Sequence, residues 1–497
     1  MRRLPLPFLA VAALLGGGVV AGQLTAPDAA PAAVAAGRTA PVTGAGVVCP
    51  DVRGAPGAVR SFVSAGSPVT DPAVPGTVTS SVLGSSAPPT VLPVPGSGVV
   101  VAGVGPAVAD GAVVVEARGG PAAGLEVETV ASAGTGPEQG LTGLRCGAPA
   151  PEAWFLGGSV RIGSSSTLVL VNPDDTPALL DATVWSATGP VDPRAGSGLA
   201  VPARGRVLVP VDTLAPGRDV LAVHLSAERG RFAAAMRTVR TAGRTPAGAE
   251  HVPPSGPPAR QVVVPGVPGG PGGRRLLLAN PGGDAATVSV QLTSGDGQFV
   301  PTGLDAVPVP AGTTVGVDLT ALVAAGPVAV RVTADEPVLA AAEVTDTSGT
   351  PQSELAYAGA AGPLDGPALV TDVLVARPTA VNLLLSALEG AGRVVVSTVP
   401  LAGATGPPPA RRTVDVPGGR TVTLPLAALL PRGTVAGRFA VSVTPVEGSG
   451  PVWAVRSLRA QGRTAPLTTL LPLSSGPREV SGPQVARDPA VGDPAVG

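Results

Sequence analysis

Two stretches of the chain carry nearly the same order of apolar and polar positions. LVLVNPDDTPALLDATV spans 168–184, and LLLANPGGDAATVSVQL spans 276–292. Each opens on an apolar run, halts at Asn-Pro and resumes as an alternation. Period two over five or more residues, as in Val288, Val290, Leu292 or Val328, Val330, Val332, predicts half-buried strands. Asn-Pro reads as the turn that stops the first strand, since Asn accepts turn geometry and Pro lacks the ladder N–H.

A second landmark follows each line at the same distance. Val201-Pro-Ala-Arg-Gly-Arg-Val207 and Val309-Pro-Ala-Gly-Thr-Thr-Val315 both begin 29 residues after the Asn. A shared internal spacing marks a structural unit repeated along the chain. One step of about 107 residues further lie Leu383–Leu385 and Val416-Pro-Gly-Gly-Arg-Thr-Val422, with Ala387 and Leu388 in place of Asn-Pro. One step back lie Val94-Pro-Gly-Ser-Gly-Val-Val100 and Gly111-Ala-Val-Val-Val-Glu116, the most diverged copy. Asp212–Leu214, Asp318–Leu322 and Leu426–Leu429 fit single helical turns between strands.

Units of this length with about seven short strands predict an all-β fold of tandem immunoglobulin-like β-sandwich modules behind an export signal. Propeller blades are shorter. The expected division is 1–43, signal peptide or signal anchor plus linker; 44–150, a diverged β module; 151–258, 259–364 and 365–473, three β-sandwich repeats; and 474–497, a disordered tail ending in a doubled DPAVG. Pro- and Gly-rich linkers are expected at 245–260 and 359–367. Leu467–Leu473 resembles Val262–Val264 and Leu369–Val375, which suggests that each sandwich borrows its closing strand from the start of the next segment.

Composition supports this layout and narrows the chemistry. The 69 Gly and 59 Pro would suggest disorder, but 44% hydrophobic residues imply a buried interior with turns punctuated by Gly and Pro. All 33 basic residues are Arg, against 34 acidic ones, for a net charge of −1. Without a basic stripe there is no counterion-release term, so nucleic acid is not an expected partner. Arg2 and Arg3 precede an apolar run from Phe8 to about Gly22, the layout of an export signal, either cleaved or kept as a single N-terminal membrane anchor. In an exported chain the two cysteines, Cys49 and Cys146, are expected to pair and to hold the first module closed; two buried thiols are the alternative.

Catalytic equipment is sparse. Lacking Lys, the chain has no Walker A loop, Schiff base or Ser-Lys dyad, and no GxSxG elbow occurs. His251 falls in the expected linker, and His224 stands outward in an alternating run; neither belongs to a metal motif. Asp174 and Asp175 beside the first Asn-Pro read as solvated turn residues, because the second copy has Gly282, Gly283 and Asp284. No catalytic residue, cofactor or metal site is expected. Phe232, Leu339 and Trp453 occupy matching late positions and read as core, and Trp154-Phe155 as a wedge between modules. Trp185 points away from the inward register of Leu180, Ala182 and Val184. It either packs on a neighbouring module or serves as an exposed contact anchor.

The export segment, the cysteine-bearing first unit, Pro151-Glu-Ala-Trp-Phe155 and the repeated L-x-L-x-N-P with VPAG-type turns resemble an uncharacterised family of exported actinobacterial proteins, a domain of unknown function. The resemblance implies no activity and transfers no catalytic residue. The expected function is that of a non-catalytic cell-envelope protein, a rod or chain of modules acting as spacer or interaction scaffold toward an envelope protein or glycan. The alternative is a secreted glycan- or peptide-binding protein, with Trp185 or a sheet edge as the contact.

Overall fold

The structure is a computed structural model that describes residues 39–50, 59–67, 74–92, 100–106, 111–348, 352–376, 379–399, 410–431 and 436–481. The export segment, the Val94 turn and the DPAVG tail lie outside these. The described chain is all-β, with antiparallel strands and 3-10 turns at Gly120–Ala122, Pro193–Gly196, Val211–Thr213 and Leu426–Leu429. No helix among the described residues is long and apolar enough to cross a membrane.

One strand order recurs in sheets that face each other across shared cores. In the first pair, Gly44–Cys49, Val113–Gly119, Gly76–Val82 and Thr90–Leu92 form one sheet, and Val100–Pro106, Val59–Ser67, Glu126–Ala133 and Gly140–Arg145 the other. Cys49 and Cys146 are joined, tying the first strand of this pair to the residue after its last. In the second pair Ala222–Arg229 lies between Ala178–Ser186 and Glu152–Leu156, while Ser164–Asn172 lies between Gly205–Pro210 and Ala233–Ala242, with Thr245–Val252 outermost. The fourth repeats this order, from Ala368–Ala376 to Pro466–Pro472.

The third pair is one eight-stranded sheet, because the single strand Val328–Asp346 serves both layers. Its first half pairs with Ala259–Val267 and Ala286–Thr293, its second with Arg274–Asn280 and Glu354–Ala358. Inward positions are closed by β-branched and Leu side chains such as Val288, Val290 and Leu292, all fully buried.

The two similar lines make the same hydrogen bonds, which explains their spacing. Asn172 is buried; its Nδ2 donates to the Thr176 carbonyl (2.7 Å) and the Val201 carbonyl (3.3 Å), and its Oδ1 accepts from the Asp174 N–H (3.0 Å). Asn280 does the same with Asp284 (2.7 Å), Val309 (3.1 Å) and Gly282 (3.0 Å). The carboxamide thus pins its own turn to the Val-Pro turn 29 residues on. At Ala387 a backbone bond remains, the Gly419 N–H donating to the Ala387 carbonyl at 2.8 Å. Asn280→Ala is expected to orphan one buried carbonyl, one part-buried carbonyl and one N–H and to lower stability by ~2–3 kcal/mol in urea unfolding. A loss under 0.5 kcal/mol would show the clamp to be dispensable.

Several sequence expectations are corrected. Residues 245–260 are no linker: Thr245–Val252 is the closing strand of the second pair, and His251 lies buried within it. Its alternation is interrupted by Pro246 and by Gly248, where an added Cβ would lie 2.2 Å from the Leu355 nitrogen. Nor is a closing strand borrowed. Ala259–Val267 and Ala368–Ala376 open their own pairs, while Thr245–Val252, Glu354–Ala358 and Pro466–Pro472 close theirs. Trp154-Phe155 is part of the strand Glu152–Leu156 and not a separate wedge, although both residues sit in a core to which the second and third pairs contribute.

The pairs do not string out as a rod. The closing strands Gly140–Arg145, Thr245–Val252, Glu354–Ala358 and Pro466–Pro472 pack against one another in a cycle, with Gly140–Arg145 and Glu354–Ala358 also touching across it, within the compact body Val42–Arg478. The cores merge accordingly: Leu277, Leu339 and Tyr357 of the third pair join the core of the second, and Leu141 that of the fourth. Outside this body, Thr39–Pro41 and Glu479–Ser481 form their own antiparallel ladder, Thr39 opposite Ser481.

Candidate functional site

Two features stand out, a buried polar axis and an aromatic cleft. At the axis the free edges of the closing strands meet glutamates rather than further strands. Glu354 accepts from the Leu141 N–H (3.0 Å), the Ala249 N–H (3.3 Å) and its neighbour Leu355 (3.0 Å), touching three closing strands at once. Glu250 accepts from Gly143 (2.9 Å) and His251 (2.8 Å), with the Thr469 hydroxyl of the fourth closing strand beside it. Among the described residues no cation neutralises either group. Burial therefore pushes the Glu250 carboxyl up to about 8, against the lowering pull of its donors. Burial likewise holds Glu354 well above the usual carboxylate range, with Glu250 adding repulsion.

Near the rim of the same seam Glu126 and Glu128 cap the edge N–H groups of Leu369 (3.1 Å) and Thr371 (3.0 Å). Here the acids have cations: Arg145 pairs with Glu126, and Arg456 Nη1 lies 2.7 Å from Glu128. Burial still raises Glu126, outweighing Arg145. Capping an edge with buried carboxyls stops a ladder from growing, as protein edges require, and the axis reads as structural.

The aromatic cleft is open. Val223 and Leu225 face inward, so His224 between them faces outward; the same alternation in Glu152–Leu156 and Ala178–Ser186 sends Trp154, Thr183 and Trp185 to that outer face. Register sets Trp154 opposite His224 and His224 opposite Thr183. Opposite Trp185 stands Ala222, whose methyl leaves room for the rings to meet across the middle strand. Trp154 stacks on His224 at 3.9 Å between centroids and 13°, and on Trp185 at 5.8 Å and 17°. Glu152 accepts from the Trp154 indole N–H and lies 3.6 Å from His224 Nε2. Burial depresses the His224 value despite that carboxylate, so the imidazole is neutral at pH 7.

The third pair supplies the opposite wall. Pro281, Gly282, Gly283 and Asp284 of the second Asn-Pro turn, with Pro258, Glu336 and Pro337, close a cleft of about 500 Å³ over Trp154, Thr183, Trp185 and His224. The Pro-Ala-Gly turn abuts its end: a Cβ on Gly312 would lie 3.1 Å from Pro190 and 4.0 Å from Trp185. Half-buried Trp185 therefore both packs beside a neighbouring sheet pair and lines an open space. Trp154, His224 and Asp284 join it there, although each read as structural in sequence. Outward register in adjacent strands was the signal for the first two; nothing local could place Asp284 opposite them. Among the described residues no three His, Cys, Asp or Glu side chains group to hold a metal ion.

Fold and cleft together define an all-β, disulfide-bonded protein with a ligand-sized aromatic groove. The model of a family of unknown function (DUF5719) matches residues 101–427, and the chain belongs to that family. No curated protein matches the chain.

Proposed function

We propose that this is a non-catalytic exported protein of the cell envelope, an interaction scaffold of four immunoglobulin-like modules closed about a polar axis, with the aromatic cleft as its contact site. The observation carrying this reading is the stacked Trp154–Trp185–His224 group, in which Trp154 is buried while half-buried Trp185 and His224 line a cleft between two sheet pairs. The Cys49–Cys146 bond is compatible with work outside the cytoplasm. Closure of the closing strands favours a scaffold over an extended spacer, because a spacer gains reach only if its modules string out. Secretion into the medium is the second reading, favoured by the same cleft.

The test is cell fractionation followed by capture of envelope components on the purified chain, wild type beside Trp185→Ala. Retention with the envelope and loss of captured material in the variant are expected. Unchanged capture by Trp185→Ala would exclude the cleft as the contact, and a wholly cytoplasmic chain would exclude export.

A further inference from the structure

We infer that the aromatic cleft takes an uncharged saccharide, a hexopyranose unit of a longer glycan seated beside Trp185 and held by Asp284; this rests on the reading of the cleft as a contact site. Unsatisfied groups at the cleft point to the ligand. Of the three indole N–H groups, that of Trp154 goes to Glu152 and that of Trp453 to the Ala361 carbonyl at 3.1 Å. That of Trp185 makes no hydrogen bond among the described residues. Across the cleft Glu336 is occupied by Arg260, both oxygens at 3.3 Å, whereas the exposed Asp284 carboxylate has no hydrogen bond or ion pair among the described residues. The site therefore offers a free donor on an aromatic ring and a free two-oxygen acceptor opposite, with Thr183 also lining the cleft.

Three ligand classes can be compared with that set. An anionic ligand would meet Asp284 and, with His224 neutral, no cation lining the cleft. A proline-rich peptide suits the rings and the neighbouring prolines, but proline has no N–H to give Asp284, which would be desolvated unpaired. A pyranose ring fits throughout. Its C–H face packs on an aromatic side chain, adjacent hydroxyls donate to the two carboxylate oxygens, and another oxygen accepts from the indole. The volume of about 500 Å³ holds more than one such ring.

The test uses the whole chain and defined probes: mannohexaose, maltohexaose and galactohexaose as neutral glycans, a hyaluronan hexasaccharide as an anionic one, and hexaproline as a peptide. Binding is followed by calorimetry and tryptophan fluorescence. At least one neutral hexasaccharide is expected to bind with Kd below about 1 mM. Asp284→Ala should weaken it tenfold or more at unchanged melting temperature, Trp185→Ala tenfold or more with cooperative unfolding retained, and Trp185→Phe should restore part of the loss. Binding of hexaproline or hyaluronan in place of the neutral glycans would overturn the saccharide class while leaving a cleft-borne contact standing. No binding of any probe, with envelope capture still sensitive to Trp185→Ala, also overturns it. Capture insensitive to Trp185→Ala removes the contact site itself.

Discussion

Raising the pH from 6.5 to 8.5 is expected to weaken the protein, the reverse of ordinary acid denaturation. Glu250 and Glu354 are proton-loaded in the folded state and carry raised values there. In the unfolded chain both ionise near pH 4.5, so above that the unfolded state binds fewer protons and stability falls with pH. Their stabilising effect is complete below the unfolded value and disappears as pH passes the folded one, about 8 for Glu250. Glu250 contributes a slope of roughly 1 kcal/mol per pH unit across that interval, and Glu354 a slope of the same sign. Glu126 acts with the same sign.

The carboxyl and imidazole groups of opposite sign have finished titrating. The lowered carboxyls of Asp219 and Asp346 give stability that is lost only as pH falls toward their values, and His224, depressed by burial, gives a gain that ends near its unfolded value of 6.5. Thermal unfolding at pH 6.5, 7.5 and 8.5 should therefore show a monotonic fall of several degrees. Glu250→Gln keeps an acceptor for the Gly143 and His251 N–H groups without a charge, and should flatten the curve by Glu250's share. A flat wild-type curve, or a variant with the same slope, would mean that the axis carboxyls are not proton-loaded.

Sequence reveals one part of this arrangement and conceals the other for identifiable reasons. Alternation at Val288, Val290 and Leu292 reports burial on one face, a local property, and all three are fully buried. The 29-residue step from Asn280 to Val309 is legible because one side chain binds both turns. The axis violates those same local rules. Thr245–Val252 reads as a linker because its Pro, Gly, Glu and His suit an edge facing two other closing strands, not a core facing Leu and Val. Glu250 and Glu354 look solvated in sequence, and their partners at Gly143 and Leu141 are over one hundred residues away. The cleft is half legible: register sends Trp185 outward, but its opposite wall comes from a turn in another sheet pair.

The closed cycle makes a second, sharper demand on Gly248. There φ is +113°, a region L side chains rarely adopt, and an added Cβ would lie 2.2 Å from the Leu355 nitrogen and 2.7 Å from the Leu355 Cβ. The obstacle is backbone, so the Glu354–Ala358 strand itself must retreat, and the Glu354 carboxyl that bridges Ala249 and Leu141 retreats with it. Strained φ and forced overpacking each cost ~1–3 kcal/mol, so Gly248→Ala should lose at least ~3 kcal/mol in urea unfolding. Gly243→Ala separates the causes. Its φ is also positive, +62°, but nothing lies within 4 Å of the added Cβ, and ~1 kcal/mol is expected there from conformation alone. Hydrogen exchange adds a spatial readout: the Leu141 and Ala249 amides should exchange faster in Gly248→Ala and not in Gly243→Ala. If the two variants lose equal stability and protect these amides equally, the closing strands do not meet as tightly as the cycle requires, and the bridging role of Glu354 falls with it.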